Sequence, residues 1–333
     1  MLLKDCILDV DHVVMAPFIR NEPHQLWVES HKSGVIPDSV FTLYNLAGFL
    51  SFGSAPQYLK DRDNILFSYF SIIMESVRDS LEEAERHINI FTESVSRTCD
   101  QFKMRVEEWD PIPGENAKRE FRYFLLSEFA ALDAVADLTA ILLTGLVPKL
   151  LVGRAQFIRI ERWLKEPLPV ANIVLPPQEN FSRQLYNELR PLVYPDSRER
   201  DWLPLMRLYR NKGAHLESSV FRLVYLHDDS GSFYIFFPRQ WPFIWEQYFK
   251  PAGQPYNGPT PLELLSETLI HQDAISWVKG LNDKVKQVVE ASFSVLKSAY
   301  KHLSELPINQ AALKELQANS EKYEFEQFEG HHT

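Results

Sequence analysis

A chain of 333 residues, 45% apolar with a formal net charge of −10, can hold two domains or one large core and lacks the basic balance of a general nucleic-acid binder. Its two cysteines, Cys6 and Cys99, exclude a disulfide framework and suit a reducing compartment. The opening residues MLLKDCILDVDH carry Asp5, Asp9 and Asp11 where a signal peptide would be apolar, and the longest apolar stretch, Leu138 to Leu151, is broken by Thr139, Thr144, Gly145, Pro148 and Lys149, so a soluble cytoplasmic protein without a membrane span is expected.

Residues 1–60 have no long helical period. CILDVDHVVMAPF has strand character, and SGVIPDSVFTLYNLAGFLSFGSAP mixes turn residues with short apolar runs, which predicts a small N-terminal α+β region. From Asp61 to Trp109 the pattern changes. Ile73, Val77, Leu81, Ala84, Ile88, Phe91, Val95, Cys99, Phe102 and Val106 recur at steps of three and four, the apolar stripe of one long helix. Its other face is charged through Glu82, Glu83, Glu85, Arg86 and Glu93, and Pro111, Pro113 and Gly114 end it. Asn116 is placed to cap a second helix, AKREFRYFLLSEFAALDAVADLTAILLTGLV, whose apolar residues cover more of its circumference. That helix should lie deeper, and the short connection makes the two an antiparallel hairpin.

A basic helical piece and the proline-rich connector EPLPVANIVLPP occupy residues 149–180. Two shorter helices follow, ENFSRQLYNELRPLVY and RDWLPLMRLYRNKGAH, punctuated by Pro191 and Pro195. SVFRLVYLHDDSGSFYIFFP reads as a β-hairpin turning at DDSG. A last long helix is predicted from about Pro261 to His302, with a shorter one near Gln310 to Ser320 and an acidic tail over residues 315–333 that reads as a mobile tail or docking strand, with the composition to bind a partner or cover a basic groove as the alternative. The expected fold is mainly α: the N-terminal region at 1–60, an antiparallel helical bundle at 61–220, then the β-hairpin and C-terminal helices at 221–333 packing on the bundle.

Most motifs that carry chemistry are missing. Asp9 and Asp11 in DVDH have the Asp-x-Asp spacing of aspartate-nucleophile phosphatases, but His12 and Val13 replace the Gly-Thr that should follow, and no alternation of helix and strand succeeds them. Asp133 and Asp137 lie four apart on the second helix, yet His87 has Ala84 three residues before it, so the Glu-x-x-His pairs of a di-iron bundle are absent. No Cys/His spacing suits zinc, and no glycine-rich phosphate loop or Gly-x-Ser-x-Gly is present. Neither a metal nor a cofactor is expected.

One constellation remains, RNKGAH, with Arg210, Asn211 and His215. Cutting RNA without a metal requires activation of the ribose 2′-hydroxyl, a cation to meet the charge growing on phosphorus, and an acid to protonate the leaving 5′-oxygen. A guanidinium grips phosphate through two nitrogens, an imidazole changes protonation near neutral pH, and a neighbouring amide can orient either. On a regular helix Asn211 and His215 share a face, whereas Arg210 and His215 lie about 140° apart. They converge through a distortion, for which Gly213 is a site, or through a symmetric dimer that sets two motifs across one groove. Two basic stretches flank the motif: Lys149, Arg154, Arg159, Arg162 and Lys165 against the single acid Glu161, and seven basic residues against four acids from Arg183 to Lys212. Arg207, Lys212, Arg154, Arg159 and Arg162 are accordingly the candidate RNA-backbone contacts. Trp202 and Tyr209 are candidates either to stack a base or to sit in the core.

Arg210-Asn211-x-x-x-His215, late in a helical chain and after a long antiparallel helix pair, resembles the signature of the HEPN superfamily, over roughly residues 60 to 220. The resemblance implies a metal-independent endoribonuclease acting as a homodimer with the motif at the dimer interface, of the kind found in toxin–antitoxin and antiphage defence systems, where an antitoxin or other protein partner is expected. Carried over by position, Arg210 would stabilise the scissile phosphate, Asn211 would orient, and His215 would be the acid/base. Some members of that superfamily bind nucleotides, RNA or protein partners without cutting, so the alternative is a non-catalytic helical module. A plainer alternative has Arg210 in a salt bridge and His215 capping the helix near Gly213.

Overall fold

The computed structural model describes residues 22–46, 65–104, 108, 110–143, 155–165, 176–195, 202–214, 224–227, 233–236 and 273–305. Helices dominate them: α1 Glu22–Lys32, α2 Asp38–Tyr44, α3 Ile65–Met104, α4 Ile112–Leu142, α5 Phe157–Lys165, α6 Pro176–Val193, α7 Trp202–Ala214 and α8 Ala274–Glu305, with strands β1 Val224–His227 and β2 Phe233–Phe236 between the last two. The expected strand at CILDVDHVVMAPF and the helix near Gln310 lie outside the described residues. The described part of the N-terminal region is two short helices. They are joined at Gly34, whose φ of +72° is the left-handed conformation that glycine adopts without steric cost. The Val35 amide reaches back to the Ser30 carbonyl and the Gly34 amide to that of His31, which is the Schellman pattern for closing a helix.

The periodic stripe on α3 is buried from Ile73 to Val95 and packs along α4. The two helices run antiparallel: Gln101 exchanges hydrogen bonds with the backbone of Asp110 at the turn, and His87 meets Glu120 farther along. Helix α4 starts four residues before the expected cap Asn116. Pro113 sits in the first turn, where a missing N–H costs nothing, and Asp110 Oδ1 accepts the Ile112 N–H at 2.9 Å, so the capping role passes to Asp110. From Ala131 to Leu143 every α4 position is buried except Asp133 and Asp137. The extra apolar circumference is met by α3, α5, α7 and α8, all of which pack on α4. Helix α8 begins at Ala274, and residues 261–272 of the expected helix lie outside the described residues; α8 also packs on α6, α3 and α2. One continuous apolar core therefore joins Trp27 and Val40 near the start of the chain to Leu296 and Tyr300 near its end. The hairpin forms as expected, with Val224 opposite Phe236 and His227 opposite Phe233.

The charges of α3 do not all face water. Glu85 accepts from Asn282 at 3.1 Å and from Lys286 at 3.0 Å on α8, and Lys286 also donates to the Gly34 carbonyl. Exposed pairs such as Arg97–Glu93 and Lys118–Glu115 contribute at most about 1 kcal/mol each and do not decide the fold. Glu128 is the opposite case. It lies on the buried side of α4, wholly excluded from solvent, and neither carboxylate oxygen has a hydrogen-bond partner among the described residues. Burial drives its pKa well above the ordinary carboxylate value; Lys286 pulls it back, and Glu85 and Asp283 add to the rise.

Burial thus makes Glu128 hold its proton more tightly in the fold than in the unfolded chain, where the carboxyl ionises near 4.5. Between the two pKa values the native state holds the extra proton, so stability falls as pH rises. Glu128→Gln, which never ionises, should match the wild type at pH 4 and exceed it by about 1–3 kcal/mol at pH 8 in urea unfolding. A stability difference that does not change with pH would show that Glu128 carries no such proton.

Candidate functional site

Arg210 and Asn211 sit in the last turns of α7, and α4 is what fixes that helix. Tyr209 is fully buried and packs edge-on against Phe121 of α4 and Trp277 of α8, with centroids 5.7 and 5.8 Å away; Phe121 and Trp277 close the triangle at 5.9 Å. Trp202 is buried at the other end of α7 and donates its indole N–H to the Leu192 carbonyl of α6. Of their two expected roles, both rings take the core one. This anchoring sets the rotation of α7, so that Tyr209 points inward and its neighbour Arg210 emerges at the edge of the bundle.

The arginines 207 and 210 lie one turn apart and meet different fates. Arg207 is engaged by Glu161 of α5, a carboxylate that is itself nearly inaccessible. The Tyr194 hydroxyl also donates to Glu161 Oε1 at 3.1 Å. The one acid in the first basic stretch is therefore the internal partner of an arginine from the second. Burial, and secondarily repulsion from Arg210, lowers the Arg207 pKa, while Asp133 partly offsets this.

Arg210 has no carboxylate within ion-pair distance among the described residues, so the salt bridge of the plainer alternative is not seen there. Its guanidinium carbon lies 4.6 Å from the centre of the Phe129 ring on α4, and its Nε donates to Asn211 Oδ1 at 3.3 Å. Asp133, one turn beyond Phe129, is nearby, but its Oδ1 accepts the Phe157 N–H at 2.8 Å, while Asp137 Oδ1 accepts the Ala155 N–H at 3.2 Å. The two aspartates that could have marked a metal core thus hold the start of α5 on α4, meeting amides that a helix leaves unpaired. Burial raises the Asp133 pKa; the Phe157 hydrogen bond and the charges of Arg210 and Arg207 work against that rise.

Helix α7 stays helical through Gly213 to Ala214. His215 and Arg154 lie outside the described residues, and Lys212 lies on the last turn of α7. Arg159 and Arg162 are exposed on α5, away from buried Glu161, and carry no ion pair among the described residues. Among the described residues no group of three His, Cys, Asp or Glu is arranged for a metal ion, and no helix is long and apolar enough to cross a membrane.

A second polar cluster was not anticipated. His87 is buried on the apolar stripe of α3, and its Nδ1 donates to Glu120 Oε2 at 2.7 Å; Arg119 donates to the other Glu120 oxygen at 2.9 Å. Nε2 faces Arg86 at 3.2 Å and Glu83 at 3.3 Å, and the Tyr123 ring lies over the imidazole. Burial pushes the Glu120 carboxyl up, but the hydrogen bonds from His87 and Arg119 outweigh it and leave it below its ordinary value. The signal was available in the sequence: a histidine between Ala84 and Ile88 on a core stripe must find a partner, and Glu120 falls between Ala117 and Phe124 on the facing stripe.

No family model, curated protein or solved structure matches this chain.

Removing Arg207 leaves the Glu161 carboxylate buried and uncompensated, so Arg207→Ala should lose about 3 kcal/mol in urea unfolding, against less than about 1 kcal/mol for Arg97→Ala. Equal losses would mean that the Glu161 pair contributes no more than a surface bridge.

Proposed function

We propose that this protein is a metal-independent endoribonuclease of HEPN type, acting as a homodimer, with Arg210, Asn211 and His215 as its catalytic group. The observation that carries this reading is the state of Arg210: half-buried, held by an aromatic ring and by Asn211, and engaged by no acid among the described residues, while Arg207 on the same helix is taken up by Glu161. An arginine that only stabilised the fold would be expected to pair as Arg207 does. Its terminal nitrogens are available to a phosphodiester, whose growing negative charge they would meet as the 2′-hydroxyl attacks phosphorus. Asn211 holds the guanidinium through Nε, and His215 is assigned the proton transfers to and from the 2′- and 5′-oxygens. The helical run of α7 through Gly213 argues against a distortion at that glycine as the means of convergence, and so favours a second chain that supplies the complementary motif. Exposed Arg159 and Arg162 are the backbone contacts that this reading retains among the described residues.

One observation favours the competing reading, a module that binds a nucleotide or RNA without cutting it. Arg207, expected to track RNA, is neutralised by Glu161, so the site has less positive charge than the sequence promised.

The two readings separate on incubation of the purified protein with total RNA and tRNA in excess EDTA, beside Arg210→Ala and His215→Ala variants matched for circular dichroism and oligomeric state. Cleavage leaving 2′,3′-cyclic phosphate and 5′-hydroxyl ends is expected, reduced by about 10²–10⁴-fold in each variant. Equal cleavage by all three would remove these residues from the chemistry; no cleavage by the wild type would leave the binding module.

A further inference from the structure

Among the described residues the Arg210 guanidinium has two kinds of support, and they leave one part of it open. The Phe129 ring covers a face at 4.6 Å, within range of a cation–π contact, and Asn211 takes the Nε donor. The two terminal nitrogens keep four of the five N–H donors of an arginine, arranged as a planar fork. Phe129 is itself almost completely buried in α4, so the ring is a rigid platform. An alternative partner for the guanidinium is close by. Asp133 lies on the same side of α4, one turn on, and it is near enough for its carboxyl to respond to the charge of Arg210. It is not within ion-pair distance, and its Oδ1 is committed to the Phe157 amide.

We infer that Phe129 is a positioning residue: the face of its ring holds the Arg210 guanidinium off Asp133 and presents the terminal nitrogens as a fork for a phosphodiester. This rests on the reading of Arg210 as a phosphate ligand. It adds that the aromatic face itself, rather than apolar bulk at that position, keeps the arginine available. A leucine would fill most of the same volume but would offer no negative face to a cation, and the side chain would be free to settle on the carboxylate.

The test compares wild type, Phe129→Leu, Phe129→Tyr and a protein carrying 3,4,5-trifluorophenylalanine at position 129. The last keeps the ring's shape and core packing while withdrawing its electron density, so the inference stays testable if the leucine variant folds poorly. One readout is the Arg210 Nε–H resonance, assigned by its loss in Arg210→Lys and displaced by the ring beneath it. A second is affinity for a short 2′-deoxy oligonucleotide, which offers phosphodiesters but no attacking hydroxyl. A third is kcat and KM on RNA in EDTA. The leucine variant should lose the displaced resonance, and the leucine and trifluoro variants should bind the oligonucleotide about tenfold more weakly, with kcat/KM lowered by a similar factor; tyrosine should restore wild-type values. Wild-type affinity in both the leucine and trifluoro proteins, or failure of tyrosine to restore it, would overturn the inference. If the wild type cuts no RNA, the nuclease reading fails, and the oligonucleotide alone decides. A tenfold loss restored by tyrosine still supports the positioning role, whereas unchanged affinity, or a wild type that does not bind the oligonucleotide, overturns it.

Discussion

Helix α4 has almost no solvent side beyond Ala130, and that constraint organises the molecule. A helix buried on most of its circumference needs neighbours on each face, and α3, α5, α7 and α8 supply them. Burial also obliges every polar group on α4 to find an internal partner or bear the cost of lacking one. Glu120 finds His87 and Arg119, and Asp133 and Asp137 find the first amides of α5. Glu128 finds none among the described residues, and burial raises its pKa. The four carboxyl groups follow the same rule, and the differences between them come from what the adjoining element offers at that depth.

The rule extends to the basic residues that approach α4 from outside. Arg207 and Arg210 share a helix, a charge and nearly a face, and composition treats them alike. Arg207 comes down beside α5, where Glu161 is already enclosed and would be costly to leave unpaired, so the two charges compensate each other. Arg210 comes down over α4, where it meets the Phe129 ring, and Asp133, a carboxyl that feels its charge, already accepts a backbone amide. The availability of Arg210 is therefore a consequence of how α5 is held on α4. The hydrogen bond by which Asp133 secures α5 also takes up one oxygen of an acid near Arg210.

Periodicity made the long helices legible. The Ile73-to-Val95 stripe and the denser apolar pattern from Phe121 to Leu143 contain enough turns for the 3.6-residue repeat to stand out, and the greater depth of the second helix followed from its apolar circumference. Boundaries were less legible, because start signals compete. Asn116 is a good cap in isolation, yet Asp110 followed by Pro111 and Pro113 lies upstream and ends the turn sooner. The aromatic anchor of α7 was ambiguous for a different reason. Tyr209 and Trp202 have the composition of stacking residues, and only the contacts with Phe121, Trp277 and Leu192 decide that they are structural.

Long-range pairing was the least legible part of the site. RNKGAH could be read as a local motif, since its chemistry depends on residue types within six positions. Whether its arginine is available depends on Phe129 and Asp133, which stand 81 and 77 residues before Arg210 in the chain and give no local sign of meeting it. A basic stretch carries the same ambiguity: seven positive charges between Arg183 and Lys212 suggest a surface for phosphate, yet the single acid of another stretch removes one of them from it. The count of charges sets an upper bound on the positive field at this surface, and the packing of α5 and α7 against α4 sets how much of it survives.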